Sequence, residues 1–234
     1  MNPIAWVGNT EFWKKRQSTD PKFAMALCEE AVLETAFSPV YRGLLRLSKD
    51  AAIACTDRTV LRARLPAQLS PRYSIIGFPS TDGRFVVKNV ASCAGSGVHV
   101  FGPTQYTEAL NHWTDRMHNE IVIEEFLEGP QYQLDGFVLN NTPYFFNTLH
   151  QIWRDNKIEQ YIRDNFGLIG LRRAAEHAIK AVGLNNSPFC IEFRAGTDEL
   201  WKVIDMHARL GEDFGLPEIM ADRYPLDIIE GAAS

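Results

Sequence analysis

The stretch that most constrains the fold runs from Phe189 to Arg209. It reads Phe-Cys-Ile-Glu-Phe-Arg (189–194), a polar link (195–199), then Leu-Trp-Lys-Val-Ile-Asp-Met-His-Ala-Arg (200–209). Both arms alternate or run apolar over strand-like lengths, and the link carries Gly196, Thr197 and Asp198, so the pattern predicts a β-hairpin. Asp205 and His207, two residues apart, share one face of the second arm. Pairing of the arms turns Glu192 towards them, which puts two carboxylates and an imidazole around one point. Carboxylates clustered on a sheet repel unless a cation sits between them, and an oxygen-rich cluster suits Mg²⁺, which also bridges phosphates. A surface hairpin with solvated acids is the alternative.

The rest of the composition narrows the class. At 234 residues the chain holds one large domain or two small ones, and 45% hydrophobic with 23% charged residues is ordinary for a soluble globular protein. A formal charge of −5 argues against nonspecific nucleic-acid binding. Cys28, Cys55, Cys93 and Cys190 are scattered, with neither a CxxC pair nor a zinc pattern, as expected of reduced thiols in a cytoplasmic enzyme. The N-terminus lacks a basic region followed by an apolar core, and no apolar run reaches membrane-spanning length, so no membrane partner is expected.

In chain order, Ile4 to Gly8 reads as a short strand. Asp20-Pro21 reads as a helix start, with helical spacing to about Phe37, and 40–47 as a second helix. Thr56-Asp57 caps a basic helix (58–65) that Pro66 interrupts. Strands follow at 73–77 and 85–88, the latter ending in Lys88, and then a loop of small residues (89–97) that includes Ser92, Gly95, Ser96 and Gly97. A lysine closing a buried strand before such a loop makes sense if a phosphate lies between them, because small residues let backbone N–H groups approach the anion. A hairpin loop kept small for tight turning is the alternative; no Gly-Lys-Ser/Thr sequence is present. A helix is predicted over 104–119. The apolar strand 121–123 runs into Glu124, Glu125, Phe126 and Leu127 and a Gly129-Pro130 turn, an extended linker whose unpaired backbone can read the edge of an adenine. A strand (134–139), its hairpin partner (144–146), a polar loop or short helix (150–166), and a helix (168–182) ended by Gly183 lead back to the hairpin. A further helix is predicted from Pro217.

In this order the motifs resemble the ATP-grasp superfamily, and within it the carboxylate–amine ligases, which include D-alanine–D-alanine ligase and the L-amino acid dipeptide ligases. The resemblance covers about 57–230. It implies an α+β fold in which two lobes of mainly antiparallel sheet hold ATP between them, after a short, mainly helical N-terminal segment. The corresponding divisions are 1–56, a small lobe with the phosphate loop (57–125) and a large lobe with the metal site (126–234). Carried over by residue, Lys88 resembles the lysine on the α/β-phosphates, and Ser92, Gly95, Ser96 and Gly97 fall in the loop that closes over them. Glu124, Glu125, Phe126 and Leu127 resemble the hinge that reads adenine, with Gln131 at the ribose position. Glu192, Asp205 and His207 hold the metal-binding places, and Arg209 resembles the arginine that meets the γ-phosphate and later the acyl phosphate.

Several residues depart from the family pattern. Arg58 stands where a first ATP-contacting lysine is usual, Gln131 replaces a glutamate, Asp205 is one methylene shorter than the usual glutamate, and His207 replaces an asparagine. Imidazole suits softer metals better than Mg²⁺. The N-terminal segment is also shorter than the family's substrate-facing domain. The resemblance implies an enzyme that uses ATP and Mg²⁺, or Mn²⁺ in its place, to activate a small-molecule carboxylate as an acyl phosphate. An amine then closes an amide, between molecules or as a lactam, in making a peptide-like metabolite such as an antibiotic. The alternatives are a degenerate protein that holds nucleotide without chemistry, and a kinase that stops at a phosphorylated product. The apolar N-terminal segment (Trp6, Phe12, Trp13, Phe23, Leu27, Val40, Tyr41, Leu44, Leu45) predicts a homodimer that buries residues 1–56 at the substrate cleft; folding back on its own core is the competing reading.

Overall fold

The computed structural model describes residues 4–8, 20–75, 83–91, 97–109, 111, 121–154, 157–163, 169–196 and 200–209. Three sheets organise them. Strands β1 (Ile4–Val7), β2 (Phe23–Ala26) and β3 (Leu45–Arg46) form a parallel sheet in that order, flanked by helices α1 (Glu29–Phe37) and α2 (Lys49–Thr56). The helix expected from Pro21 begins only at Glu29, because Phe-Ala-Met-Ala is buried throughout as β2. A short apolar run in a parallel sheet cannot be told from a buried helix by periodicity. The helix expected over 40–47 is instead a 3-10 turn (Pro39–Tyr41) followed by β3. Helix α3 (Arg58–Arg64) has the expected cap, with Asp57 Oδ1 accepting the Thr59 and Val60 N–H groups at 2.8 and 3.1 Å.

The second sheet is antiparallel, in the order β4 (Tyr73–Ser74), β7 (Ile121–Glu125), β5 (Phe85–Asn89), β6 (Val98–Phe101). Of the helix expected over 104–119, residues 106–109 and 111 are described and helical. The third sheet is also antiparallel, ordered β10 (Lys157–Arg163), β9 (Thr142–Arg154), β8 (Gln131–Leu139), β11 (Ser187–Ala195), β12 (Trp201–His207). The loop or helix expected over 150–166 is therefore strand: β9 runs on to Arg154, and β10 pairs back from Lys157. The helix expected from Pro217 lies outside the described residues.

One face of the third sheet is apolar. Leu134, Phe189, Ile191, Phe193, Val203 and Met206 pack in one core with helix α4 (Ile169–Val182) and with Val7, Ala24, Ala26 and Val32 of the N-terminal segment. That segment therefore does fold back on the common core. Leu33, Phe37, Val40 and Leu45 nevertheless remain exposed, Val40 at 79%. Among the described residues no helix is long and apolar enough to cross a membrane.

Candidate functional site

The opposite face of the third sheet is polar, and register decides what meets there. The hairpin forms as the sequence predicts. Glu192 of β11 lies opposite Asp205 on one side and Gln133 on the other, and Cys190 lies opposite His207 and Asp135. The β11–β12 ladder slips by one residue at Ile204, a bulge that keeps Val203 facing the core and Asp205 facing the polar side. A bulge also releases carbonyls from the ladder, and buried cations take them. Arg62 Nη1 and Nη2 donate to the Val203 and Ile204 carbonyls at 2.8 and 2.7 Å, and Lys88 Nζ donates to the Ile204 carbonyl at 2.8 Å.

These cations share one acid. Glu124 accepts Arg62 Nε at 2.6 Å and pairs with Lys88 Nζ at 2.9 Å, all three side chains being buried. Burial pushes the Glu124 carboxyl up, but Arg62 and Lys88 pull it below its usual range. Burial also holds the Lys88 ammonium below its ordinary value. Lys88 thus stands where the second sheet meets the third, tied to β7 and β12. Arg58 donates to the Asn89 carbonyl at 2.8 Å and to Asp205 Oδ2 at 2.5 Å. Against the cost of burial, Arg58 and then His207 and Lys88 hold the Asp205 carboxyl far below the carboxylate range.

His207 ends β12 between two acids, with Nδ1 3.0 Å from Glu29 Oε2 and Nε2 3.7 Å from Asp205 Oδ2. Burial disfavours its charge, but Asp205 and Glu29 raise it above the ordinary value. Arg209 Nε donates to the same Glu29 oxygen at 3.0 Å. Among the described residues no three His, Cys, Asp or Glu side chains are arranged to hold a metal ion. Glu192 and Asp205, as cross-strand partners carrying hard oxygens, fit a divalent ion such as Mg²⁺. His207 fits less well beside them, because Nδ1 is engaged by Glu29 and imidazole suits softer metals better than Mg²⁺.

A chain of side-chain amides crosses the same face. Arg194 Nε donates to Gln131 Oε1 at 3.0 Å, Gln131 Nε2 to Gln151 Oε1 at 2.6 Å, Gln151 Nε2 to Gln133 Oε1 at 3.0 Å, and Gln133 Nε2 to both oxygens of Asp135 at 3.1 and 3.0 Å. Gln131 also donates to Glu192 at 3.2 Å, which links the expected ribose position to the expected metal acid. Burial raises the Asp135 carboxyl to about 7.

The expected adenine linker bridges the two antiparallel sheets. Glu125 accepts the Arg72 N–H and Nε at 2.9 and 2.7 Å, and the Arg84 and Arg194 guanidiniums lie over the Phe126 ring, 4.0 and 4.8 Å from its centroid. The Leu127 carbonyl accepts Arg194 Nη1 at 3.0 Å. Gly129 must be glycine, since a Cβ there would lie 2.5 Å from the Ala195 carbonyl oxygen. Of the small-residue loop, Ser92, Gly95 and Ser96 lie outside the described residues. Gly97 has φ +68°, a conformation that favours glycine, and a Cβ there would meet the side-chain amide of Asn89.

The structure therefore brings Arg58, Lys88, Glu124, Glu192, Asp205, His207 and Arg209 around one end of β12, with Gln131 further along the face. Sequence reasoning missed Glu29, Arg62, Gln133, Asp135 and Gln151. The alternation Gln131-Gln133-Asp135 in an otherwise apolar strand was a readable sign of a polar face. Nothing local marks Glu29, or Arg62 among the arginines of α3.

No family model matches the sequence, and no curated protein matches it. Solved structures do match. L-amino acid ligase from Bacillus licheniformis superposes with a TM-score of 0.69 at 18% identity, over 90% of this chain and 53% of that one. D-alanine–D-alanine ligase from Bacillus anthracis gives 0.66 at 13%, over 97% and 83%. N5-carboxyaminoimidazole synthetase from Staphylococcus aureus, complexed with ADP, gives 0.65 at 15%, over 87% and 58%. A structure described as an ATP-grasp superfamily protein, from Archaeoglobus fulgidus, gives 0.61 at 17%, over 89% and 64%. The fold is ATP-grasp. The chain spans about half the length of the L-amino acid ligase, so that enzyme's activity is not transferred by the likeness.

Proposed function

We propose that the protein is an ATP-dependent carboxylate–amine ligase. The observation that carries this reading is the register placing Glu192 opposite Asp205 on the polar face, with Lys88, Arg58 and Arg209 around them. A carboxylate is a poor electrophile, because amine attack would have to expel oxide. Transfer of the γ-phosphoryl group to it makes an acyl phosphate, from which phosphate can leave. Glu192 and Asp205 would hold Mg²⁺, which when bound neutralises phosphate charge. Lys88 supplies a point charge for the α/β-phosphates, and Arg209 supplies a planar fork for the γ-phosphate and then for the oxyanion formed as the amine attacks. Glu125 to Leu127 take the adenine edge and Gln131 a ribose hydroxyl. No protein nucleophile is required.

The structural neighbours named as ligases of amino acids point to small amino-acid substrates and to a peptide-like product. Joining two molecules and closing a lactam both fit the chemistry. The test is release of ADP and phosphate from Mg·ATP in the presence of amino-acid mixtures, with amide products followed by mass spectrometry. Equal amounts of ADP, phosphate and amide support a ligase. ADP without free phosphate and without an amine requirement identifies a kinase.

One observation favours a second reading, a nucleotide-binding protein without chemistry. Arg58 already neutralises Asp205, and His207 is drawn to Glu29. Nucleotide binding without turnover under every substrate mixture would establish that reading.

A further inference from the structure

Glu29 opens α1 in the N-terminal segment, yet its side chain reaches the end of β12. A single oxygen, Oε2, lies 3.0 Å from both His207 Nδ1 and Arg209 Nε. Arg209 stands two residues beyond the end of β12, where the described ladder no longer holds its backbone. Its side chain is held through Nε by Glu29. A guanidinium is planar with its N–H groups in a rigid fork, so engaging Nε sets the plane in which the terminal nitrogens lie. The same oxygen fixes the His207 ring, whose Nε2 side faces Asp205 at 3.7 Å. One acid from the N-terminal segment thus ties together the arginine and the histidine beside the candidate metal acid.

We infer that Glu29 is a positioning residue, through which the N-terminal segment aims Arg209 at the terminal phosphate of the bound nucleotide. This rests on the nucleotide reading proposed above. Glu29 has two separable effects on Arg209: it offers an oxygen that fixes the guanidinium, and it cancels charge that would otherwise attract phosphate. Positioning requires the oxygen, whereas neutralisation requires only the charge.

The full chain, titrated calorimetrically with Mg·ADP and with a non-hydrolysable Mg·ATP analogue, separates them, because the ratio of the two affinities reads the terminal phosphate alone. The wild type should prefer the analogue by about tenfold or more, the scale of one charge-assisted contact. Arg209→Ala should abolish the preference. Glu29→Ala should reduce it to within about threefold, Glu29→Gln, which keeps an oxygen, should retain most of it, and the Glu29→Ala, Arg209→Ala double variant should lose nothing further. Where Glu29→Ala does not fold, Glu29→Asp, which withdraws the carboxylate by one methylene, should show the reduced ratio. An unchanged ratio in Glu29→Ala or Glu29→Asp overturns the inference, and an increased one shows that Glu29 is only a neutraliser. A wild type that binds no nucleotide, or does not prefer the analogue, defeats the nucleotide reading itself. That outcome overturns the inference as well, whereas a wild type that prefers the analogue and a Glu29→Ala variant that keeps the full preference overturn the inference alone.

Discussion

Asp135→Asn should remove one large share of the pH dependence of stability, the share that acts between about pH 4 and 7. Asp135 is wholly buried in β8, accepts both hydrogen bonds from Gln133 and neighbours Cys190. Burial raises its carboxyl from an ordinary 3.8 to about 7, against the opposing pull of Gln133, Cys190 and Arg209. The folded state therefore prefers the neutral acid. Its contribution to stability is fully present below about pH 3.8 and is lost as the pH rises through about 7. A gap of about three units at about 1.4 kcal/mol each comes to about 4 kcal/mol, most of it lost between pH 4 and 7. Asparagine offers Gln133 one oxygen and cannot ionise, so any packing or hydrogen-bond cost of the substitution is a constant offset. Urea unfolding of both proteins from pH 4.5 to 8.5 reads the difference. The variant should gain on the wild type by about 3 kcal/mol across that range. Parallel pH profiles would refute the reasoning and place an ionised, stably solvated carboxylate at this position.

Glu192→Gln and Asp205→Asn should each abolish turnover by removing charge from the metal pair, with the fold of Glu192→Gln kept by circular dichroism; near-normal turnover in either removes the metal assignment. Lys88→Ala should weaken ATP binding about tenfold or more by calorimetry, the scale of a charge-assisted contact of about 1.5–3 kcal/mol. Arg62→Met should destabilise by about 3–5 kcal/mol in urea, because it removes half of the Glu124 pairing, strands the Val203 carbonyl and leaves the Ile204 carbonyl with Lys88 alone. The exposed Leu33, Phe37, Val40 and Leu45 predict a dimer, so light scattering at micromolar concentration should give twice 26.5 kDa, and a mass of 26.5 kDa would end the shared-interface idea.

The β11–β12 hairpin and β8 of the third sheet were legible because their signals are local. The alternation on either side of Gly196 fixed two strands, and the spacing of Asp205 and His207 fixed their shared face. The N-terminal segment was less legible, since four buried apolar residues at Phe23 to Ala26 carry no period, and β3 is only two residues long. Lys157 to Arg163 read as part of a polar loop or short helix because β10 is an edge strand with one paired neighbour and little burial to impose a pattern. Within the site, the residues on β5, β7, β11 and β12 could be named from strand context. Glu29 and Arg62 could not, because each reaches its partners across more than a hundred residues or between separate sheets. The bulge at Ile204, which gives Arg62 and Lys88 their carbonyl partners, also has no signature in the sequence.

The central claim is that this site makes an acyl phosphate, and isotope transfer tests it most directly. Once the mixtures have identified a carboxylate substrate, that substrate is prepared with oxygen-18 in its carboxyl group and turned over with Mg·ATP and its amine. The account predicts one labelled oxygen in the phosphate released for each amide formed, since the carboxyl oxygen that accepts the γ-phosphoryl group leaves with it. Unlabelled phosphate alongside amide product would contradict the account.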